Sequence, residues 1–354
     1  MTKLVQPILA VGAIFIFVFV LLFTRQAPQN INPEVKSEKT TQSSPSSQPK
    51  TGQPLAETPN PQAKYFIESL KERSYGEGEI QLEKVLAEKD KFVSYLISYR
   101  SEGLKIYGQL NIPKSQKPYP IVILAHGYYN PETFTTGTGT EREAGYFANE
   151  GFLTIAPDFR GFGQSEDQKD ERHLFRIDYT IDLLNLIASI KKTNWDFLDK
   201  EKIAIWGHSM GGGLAERAAV VSKDIKAVSL FGPVEADAWD DFNRFSVHYP
   251  EIRQEVIEKF GDKGNAGEFW AKVSPISYIN EISAPFQIHH GTQDQTIPIS
   301  ASEKFHQALL SVGKKSEFFR YENQGHIFQG STWQEAMKRT LKFYKEHLKS
   351  SQLP

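Results

Sequence analysis

The sequence predicts an α/β fold, a mostly parallel central sheet flanked by helices, and three observations carry that prediction. From Lys64 onward, short apolar runs alternate with stretches whose apolar residues recur at helical spacing. Two of the runs, Ile121 to Ala125 and Leu153 to Pro157, are apolar throughout, as strands covered on both faces are. Finally, Ile203-Ala204-Ile205-Trp206 leads through Gly207-His208-Ser209-Met210-Gly211 into Gly212-Gly213-Leu214-Ala215. That order reads as strand, sharp turn and helix, with a serine at the tip.

Taken from the amino terminus, the first element expected is a membrane span. Leu4 to Phe23 is uncharged and nearly all apolar, between Lys3 and Arg25. Twenty helical residues reach about 30 Å, the thickness of the hydrocarbon core. Leu22-Phe23-Thr24-Arg25-Gln26 offers a peptidase no small residues, so residues 1–25 are expected to stay on as an uncleaved signal-anchor. Residues 26–62 are rich in Pro, Ser, Thr and Gln and show no hydrophobic period, as a disordered linker does. The expected product is a single-pass membrane-anchored protein whose catalytic domain, residues 63–350, faces the extracytoplasmic side.

Within that domain, Phe92 to Arg100 and Leu104 to Ile112 are expected to form a hairpin across Ser101-Glu102-Gly103. Strands follow at Ile121 to Ala125, Leu153 to Pro157, Ile203 to Trp206, Ala227 to Phe231, Phe286 to His290 and Ser316 to Tyr321. Helices are expected at about 141–150, 176–192, 212–222, 300–312 and 333–348. Ile177, Ile181, Leu184, Ile187 and Ala188 set the helical period of the second. Between Gly232-Pro233 and Pro285 the alternation breaks, leaving about fifty residues rich in aromatics and without a core strand. That stretch, about 234–284, is expected to be a helical lid. Most of its aromatics would pack it onto the body, while Trp239 and Trp270 are candidates for touching substrate.

Composition narrows the chemistry. The chain has 354 residues, with 41 basic and 43 acidic side chains and a net charge of −2. No basic block marks a nucleic-acid surface. The absence of cysteine removes thiolate chemistry and disulfides and leaves serine as the nucleophile. No ligand spacing such as H-E-x-x-H occurs, so neither a metal nor another cofactor is implied.

A serine hydroxyl needs a base to become a nucleophile, and the base needs an acid to orient it. His326 follows the last strand in Asn323-Gln324-Gly325-His326, and Asp294 follows another in Gly291-Thr292-Gln293-Asp294. The order Ser209, Asp294, His326 is the order used by α/β-hydrolases. The oxyanion needs two donors. One is the N–H of Met210 at the head of the helix, and the other is expected from His126-Gly127-Tyr128, through the N–H of Tyr128 or its hydroxyl. His126 is expected to shape the loop behind that site, and His289 and His290 to pack on their strand or to back the catalytic residues. Asp158 to Ser165 has a Gly-x-Gly but no dinucleotide fingerprint, and is expected to brace the catalytic loops.

Residues 92 to 348 resemble the catalytic domain of the prolyl-oligopeptidase (S9) family of serine peptidases, within the α/β-hydrolase superfamily. The matching stretches are Ile97 to Leu104, Leu124 to Tyr128, Pro157 to Gly161, Trp206 to Gly212, His289 to Asp294 and Gly325-His326. The resemblance implies Ser209, Asp294 and His326 as triad, and cleavage of peptide, amide or ester bonds through an acyl-enzyme. The larger members carry a β-propeller, which needs roughly 240 residues. Here about 28 residues separate the linker from the first expected strand. The alternatives are therefore a carboxylesterase on small acyl esters and, in a different class, a surface binding protein on a disused hydrolase scaffold.

Overall fold

The computed structural model describes residues 60–168 and 174–349. These residues form one compact unit. Its elements run α1 (Ile67–Glu72), β1 (Gln81–Glu88), β2 (Phe92–Ser101), β3 (Leu104–Pro113), β4 (Tyr119–Ala125), α2 (Glu141–Asn149), β5 (Leu153–Pro157), α3 (Ile177–Lys192), β6 (Leu198–His208), α4 (Met210–Val221) and β7 (Ile225–Phe231). The insertion follows as α5 (Ala238–Ser246), α6 (Pro250–Phe260), α7 (Gly267–Val273) and a 3₁₀ turn at Pro275–Glu281. The chain closes with β8 (Phe286–Gly291), α8 (Ile299–Ser311), β9 (Ser316–Tyr321) and α9 (Gly330–His347).

The nine strands among the described residues join one sheet in the order β1-β2-β3-β5-β4-β6-β7-β8-β9. From β5 to β9 every neighbouring pair is parallel, and β1, β2 and β3 extend the sheet antiparallel at one edge. The β2–β3 hairpin turns on Glu102 and Gly103, both at positive φ, with Ser101 facing Leu104. Positive φ at both central residues matches the right-handed twist of the strands it joins.

The strand interiors are apolar on both faces because helices cover both. Leu183 of α3, Leu214 and Ala218 of α4 and Phe305 of α8 pack into one core with Ile123, Ile205 and Val228. Phe147 of α2 and Met337, Phe343 and Tyr344 of α9 pack into the other with Val122, Leu124 and Trp206. Chain order reverses at β4: β5 lies on one side of it and β6 on the other. The carboxyl ends of strands at such a switch point form a crevice, because the connections leave them in opposite directions.

The strands and helices expected from Phe92 onward all appear, with β6 and β7 starting earlier. Two more were not anticipated. α1 is a six-residue helix, and β1 is an edge strand that is exposed along nearly its whole length and interrupted by two irregularities in register. Gln81-Leu82-Glu83-Lys84 offers no apolar run, since an edge strand covered on neither face needs none.

The membrane expectation is corrected. Leu4 to Phe23 and most of the linker fall outside the described residues. Among the described residues no helix is long and apolar enough to cross a membrane. The longest, α9, buries Ala336, Met337, Thr340, Phe343 and Tyr344 on one side and carries lysines, arginines and glutamates on the other. The apolar side of α9 packs against the sheet. The signal-anchor, the membrane as partner and the membrane-anchored localisation with an extracytoplasmic domain are therefore withdrawn.

Candidate active site

Ser209 stands between β6 and α4 with φ 53° and ψ −118°. A serine at positive φ is strained, and the surroundings hold it there. Its N–H donates to the Phe231 carbonyl at 3.0 Å, and its carbonyl accepts from Gly212 at 2.9 Å and Val234 at 3.2 Å. Gly211 lets the turn close: a Cβ there would lie 2.0 Å from the Ala125 carbonyl oxygen. No larger residue fits without separating α4 from β4.

His326 and Asp294 come from the loops after β9 and β8. His326 Nδ1 lies 2.7 Å from Asp294 Oδ2; the imidazole keeps 16% side-chain exposure, and the carboxylate 1%. Gly232, at φ +49°, passes beside this pair. A Cβ on it would lie 3.1 Å from His326 Nδ1 and 3.2 Å from Asp294 Oδ2.

Burial pushes the Asp294 carboxyl up, but stronger opposing contacts hold it well below the usual carboxylate range. His290, His326 and the Ile297 N–H supply them. Thr296 and Ile297 both donate backbone N–H groups to Oδ1, at 2.8 and 3.0 Å. An anion solvated by fixed donors stays ionised even when buried. Asp294 is thus a permanent negative charge against His326, which suits it to orient an imidazole and stabilise it when protonated.

Two oxyanion donors were expected. The N–H groups of Met210 and Tyr128 make no backbone hydrogen bond among the described residues. Met210 is buried, whereas Tyr128 is 67% exposed at the mouth of the crevice. Its ring lies edge-on to Phe162 at 6.2 Å. Among the described residues the Ser209 hydroxyl makes no hydrogen bond with His326. Catalytic contacts of this kind are often long without substrate and tighten when it binds.

Two further histidines stand at this pair: His290, expected to pack on its strand or to back the catalytic residues, and His208, to which no role was assigned from sequence. His290 is fully buried, and its Nε2 sits 3.0 Å from the Ile297 carbonyl and 3.2 Å from Asp294 Oδ2. A carbonyl only accepts, so Nε2 carries a proton, and Nδ1 is hydrogen-bonded to the Ser302 hydroxyl at 2.7 Å. His208 donates from Nε2 to the His326 carbonyl at 3.1 Å, its ring 4.7 Å from that of His326. Desolvation and His326 push the His208 imidazole down to about 4, so it stays neutral at neutral pH. The only sequence signal was position: His208 precedes the serine, and His290 ends the strand that leads to Asp294.

The remaining candidates lie further out. Trp270 is 1% exposed inside the insertion, its indole N–H donating to the Gly261 carbonyl, and Trp239 packs edge-on against it at 4.9 Å. His126 is buried among Phe134, Phe159 and Phe162. In the 158–165 segment, Arg160 is fully buried and donates from its backbone and guanidinium to Asp182 of α3. That cross-link holds the loop after β5 against the helix behind it. Beside the His326–Asp294 pair lies a cavity of about 320 Å³, whose lining includes both residues and His208. Ser209, Met210 and Tyr128 do not line it. Among the described residues no cluster of three or more histidine or acidic side chains could hold a metal.

Comparison with known proteins agrees with this architecture. The model of the prolyl oligopeptidase family matches residues 139–351, more than half of the chain. An uncharacterized 31.7 kDa protein of the traX-finO intergenic region of Escherichia coli is 29% identical over 36% of this chain, a stretch covering 41% of that protein. Acetyl xylan esterase 1 from Thermoanaerobacterium superposes with a TM-score of 0.62 at 21% identity, over 81% of this chain and 94% of the esterase. An acylaminoacyl peptidase superposes with a TM-score of 0.59 at 20% identity, over 80% of this chain and 52% of the peptidase.

Proposed function

We propose, on the premise that this chain belongs to the prolyl oligopeptidase family and is a serine-hydrolase-type enzyme, that it is a carboxylesterase on small acyl esters. Ser209 Oγ attacks the acyl carbon while His326 takes its proton. The ionised Asp294 stabilises the imidazolium, and the N–H of Met210, with Tyr128, receives the oxyanion. As the intermediate collapses, His326 returns the proton to the departing alcohol. Water then releases the acid from the acyl-serine by the same steps.

The observation that carries the ester reading is the scale of the site. The His–Asp pair borders a cavity of small-molecule size. Moreover, the described residues fold as one sheet domain that matches an esterase over nearly its whole length but a peptidase over about half. The peptidase reading keeps the support of the family match itself.

Purified protein assayed with p-nitrophenyl acyl esters and with aminoacyl and prolyl p-nitroanilides decides between them. Ester turnover is expected to exceed anilide turnover at least a hundredfold; faster anilide cleavage would reinstate the peptidase. Ser209→Ala should lower kcat by on the order of 10⁴ and abolish labelling by a fluorophosphonate probe. A variant that keeps most of its activity excludes Ser209 as nucleophile.

A further inference from the structure

His326 sits at the tip of the loop between β9 and α9, and little holds that tip. Before it, the Gln324 carbonyl accepts from the Gln293 N–H at 2.9 Å; after it, the Phe328 carbonyl accepts from Arg142 at 3.2 Å. Between these anchors, residues 325–327 belong to no helix or strand. A Cβ on Gly325 would meet nothing within 4 Å, and Ile327 is 58% exposed. Among the described residues, the backbone of 325–327 makes a single hydrogen bond, in which the His326 carbonyl accepts from His208 Nε2 at 3.1 Å.

His326 is therefore held at two points, its ring by Asp294 and its peptide by His208. The second holder is well placed. His208 ends β6, one peptide from Ser209, and β6 lies inside the sheet between β4 and β7. Its ring is packed in turn. Trp206 stacks on it at 6.2 Å with 21° between the planes, and the His326 ring lies 4.7 Å away. Gly127 of the oxyanion loop passes so close that a Cβ there would lie 3.1 Å from His208 Nδ1 and 3.3 Å from the Ser209 Cβ. A group locked by such packing on a rigid element can fix the geometry of its neighbours.

Charge matters as well. The base becomes an imidazolium during attack, and a cation one ring away would oppose it. Desolvation and the proximity of His326 keep His208 neutral, so its N–H can hold the loop without adding that repulsion.

We propose that His208 is a positioning residue for the reaction: its Nε2–H holds the peptide of His326, so that the strand end presenting the nucleophile also sets the place of its base. The inference rests on the reading of Ser209 as nucleophile and His326 as base. His208 acts through His326 and takes no proton in the reaction.

The test follows three substitutions by p-nitrophenyl acetate turnover, by the rate of fluorophosphonate labelling at Ser209, and by the proton NMR signal of the His326 Nδ1–H shared with Asp294. His208→Phe keeps a ring and removes the donor. It should lower kcat about ten- to a hundredfold, as for a catalytic group displaced by roughly 1 Å, with KM changed less than about threefold. Labelling should slow by the same factor, and the Nδ1 proton signal should be lost to exchange with water. His208→Gln can place an amide N–H where Nε2 lay. It should recover kcat to within about fivefold of wild type and restore the proton signal. The shorter amide of His208→Asn cannot reach the carbonyl; this variant should behave as the Phe variant does, and it replaces that variant if the latter fails to fold.

Turnover and labelling within about threefold of wild type in the Phe and Asn variants would overturn the proposal. Equal losses in all three variants would overturn it as well, because the shape of the ring and not its N–H would then be what counts. His326→Ala, assayed alongside, separates this from the reading beneath it. If that variant keeps its turnover and labelling, His326 is not the base. If it loses both while the His208 variants lose nothing, only the positioning role is defeated.

Discussion

At the residue scale, the candidate site depends on how Asp294 is solvated. A carboxylate 1% exposed would ordinarily resist ionisation, but two backbone N–H groups and two imidazoles face it. Asp294→Asn keeps the shape and removes the charge, leaving an amide that can present either its oxygen or its NH₂ to His326. It is expected to lower kcat by on the order of 10³ to 10⁴ with little change in KM. Steady-state kinetics on a folded variant check this; a loss under tenfold would mean that Asp294 does not act through His326. Ser209, Asp294 and His326 could be nominated from sequence because each sits in a short loop that follows an expected strand, and loop and strand are local features. His208 could not, because its contact is with His326, 118 residues away. His290 was expected to pack or to back the site, and Asp294, which it meets, lies on the loop just after its strand.

At the element scale, two contacts set the stability of the crevice. Arg160 joins the loop after β5 to Asp182 in α3, both fully buried, and Ser101 at the hairpin turn donates to the same carboxylate at 2.6 Å. Arg160→Leu would leave Asp182 buried without its cation, which should cost about 3–5 kcal/mol in urea unfolding. A cost under about 1 kcal/mol would show that other donors suffice. The helical insertion has a core of its own, in which Trp270 meets Phe242, Phe269 and Phe175 at 5.3 to 5.4 Å. Tyr65 and Phe66 border the same cluster from ahead of α1. Trp270→Ala should destabilise the protein by about 3–5 kcal/mol, through lost burial and the cavity left behind. A melting temperature near wild type, together with altered substrate preference, would move Trp270 from packing to recognition.

At the scale of the whole molecule, buried histidines make stability depend on pH. Burial and Arg339 push His289 down to about 3, and burial pushes His126 down to about 4. In the unfolded chain both titrate near ~6.5. Between those values the unfolded chain binds protons that the fold refuses, so their contribution is full above about 6.5 and falls as the pH drops. Asp158, pushed up to about 7 by burial, has the opposite sign, because the fold keeps a proton that the unfolded chain releases above about 4. His289→Gln should flatten the acid loss of stability between pH 6.5 and 4 by up to about 1.4 kcal/mol per pH unit. Urea midpoints across that range measure the slope, and an unchanged slope would show that His289 is already protonated in the fold.

The sequence by itself determined the sheet and its helices, because apolar runs and helical spacing are periodic over a few residues. It also determined the elbow, because glycines at a strand-to-helix turn have a steric reason that can be stated without neighbours. It misread whatever depends on what lies across the molecule. β1 has no apolar run, since its partner is β2 alone and solvent covers the rest. Hydropathy alone placed an anchor, whereas among the described residues the long helix α9 spends its apolar face on the sheet. Only the tertiary structure brought His208 to the His–Asp pair and enclosed the aromatic cavity from segments as far apart as Tyr129 and Trp333. Those features arise where chain ends of a folded sheet converge, and convergence is a property of the packed molecule that no local stretch encodes.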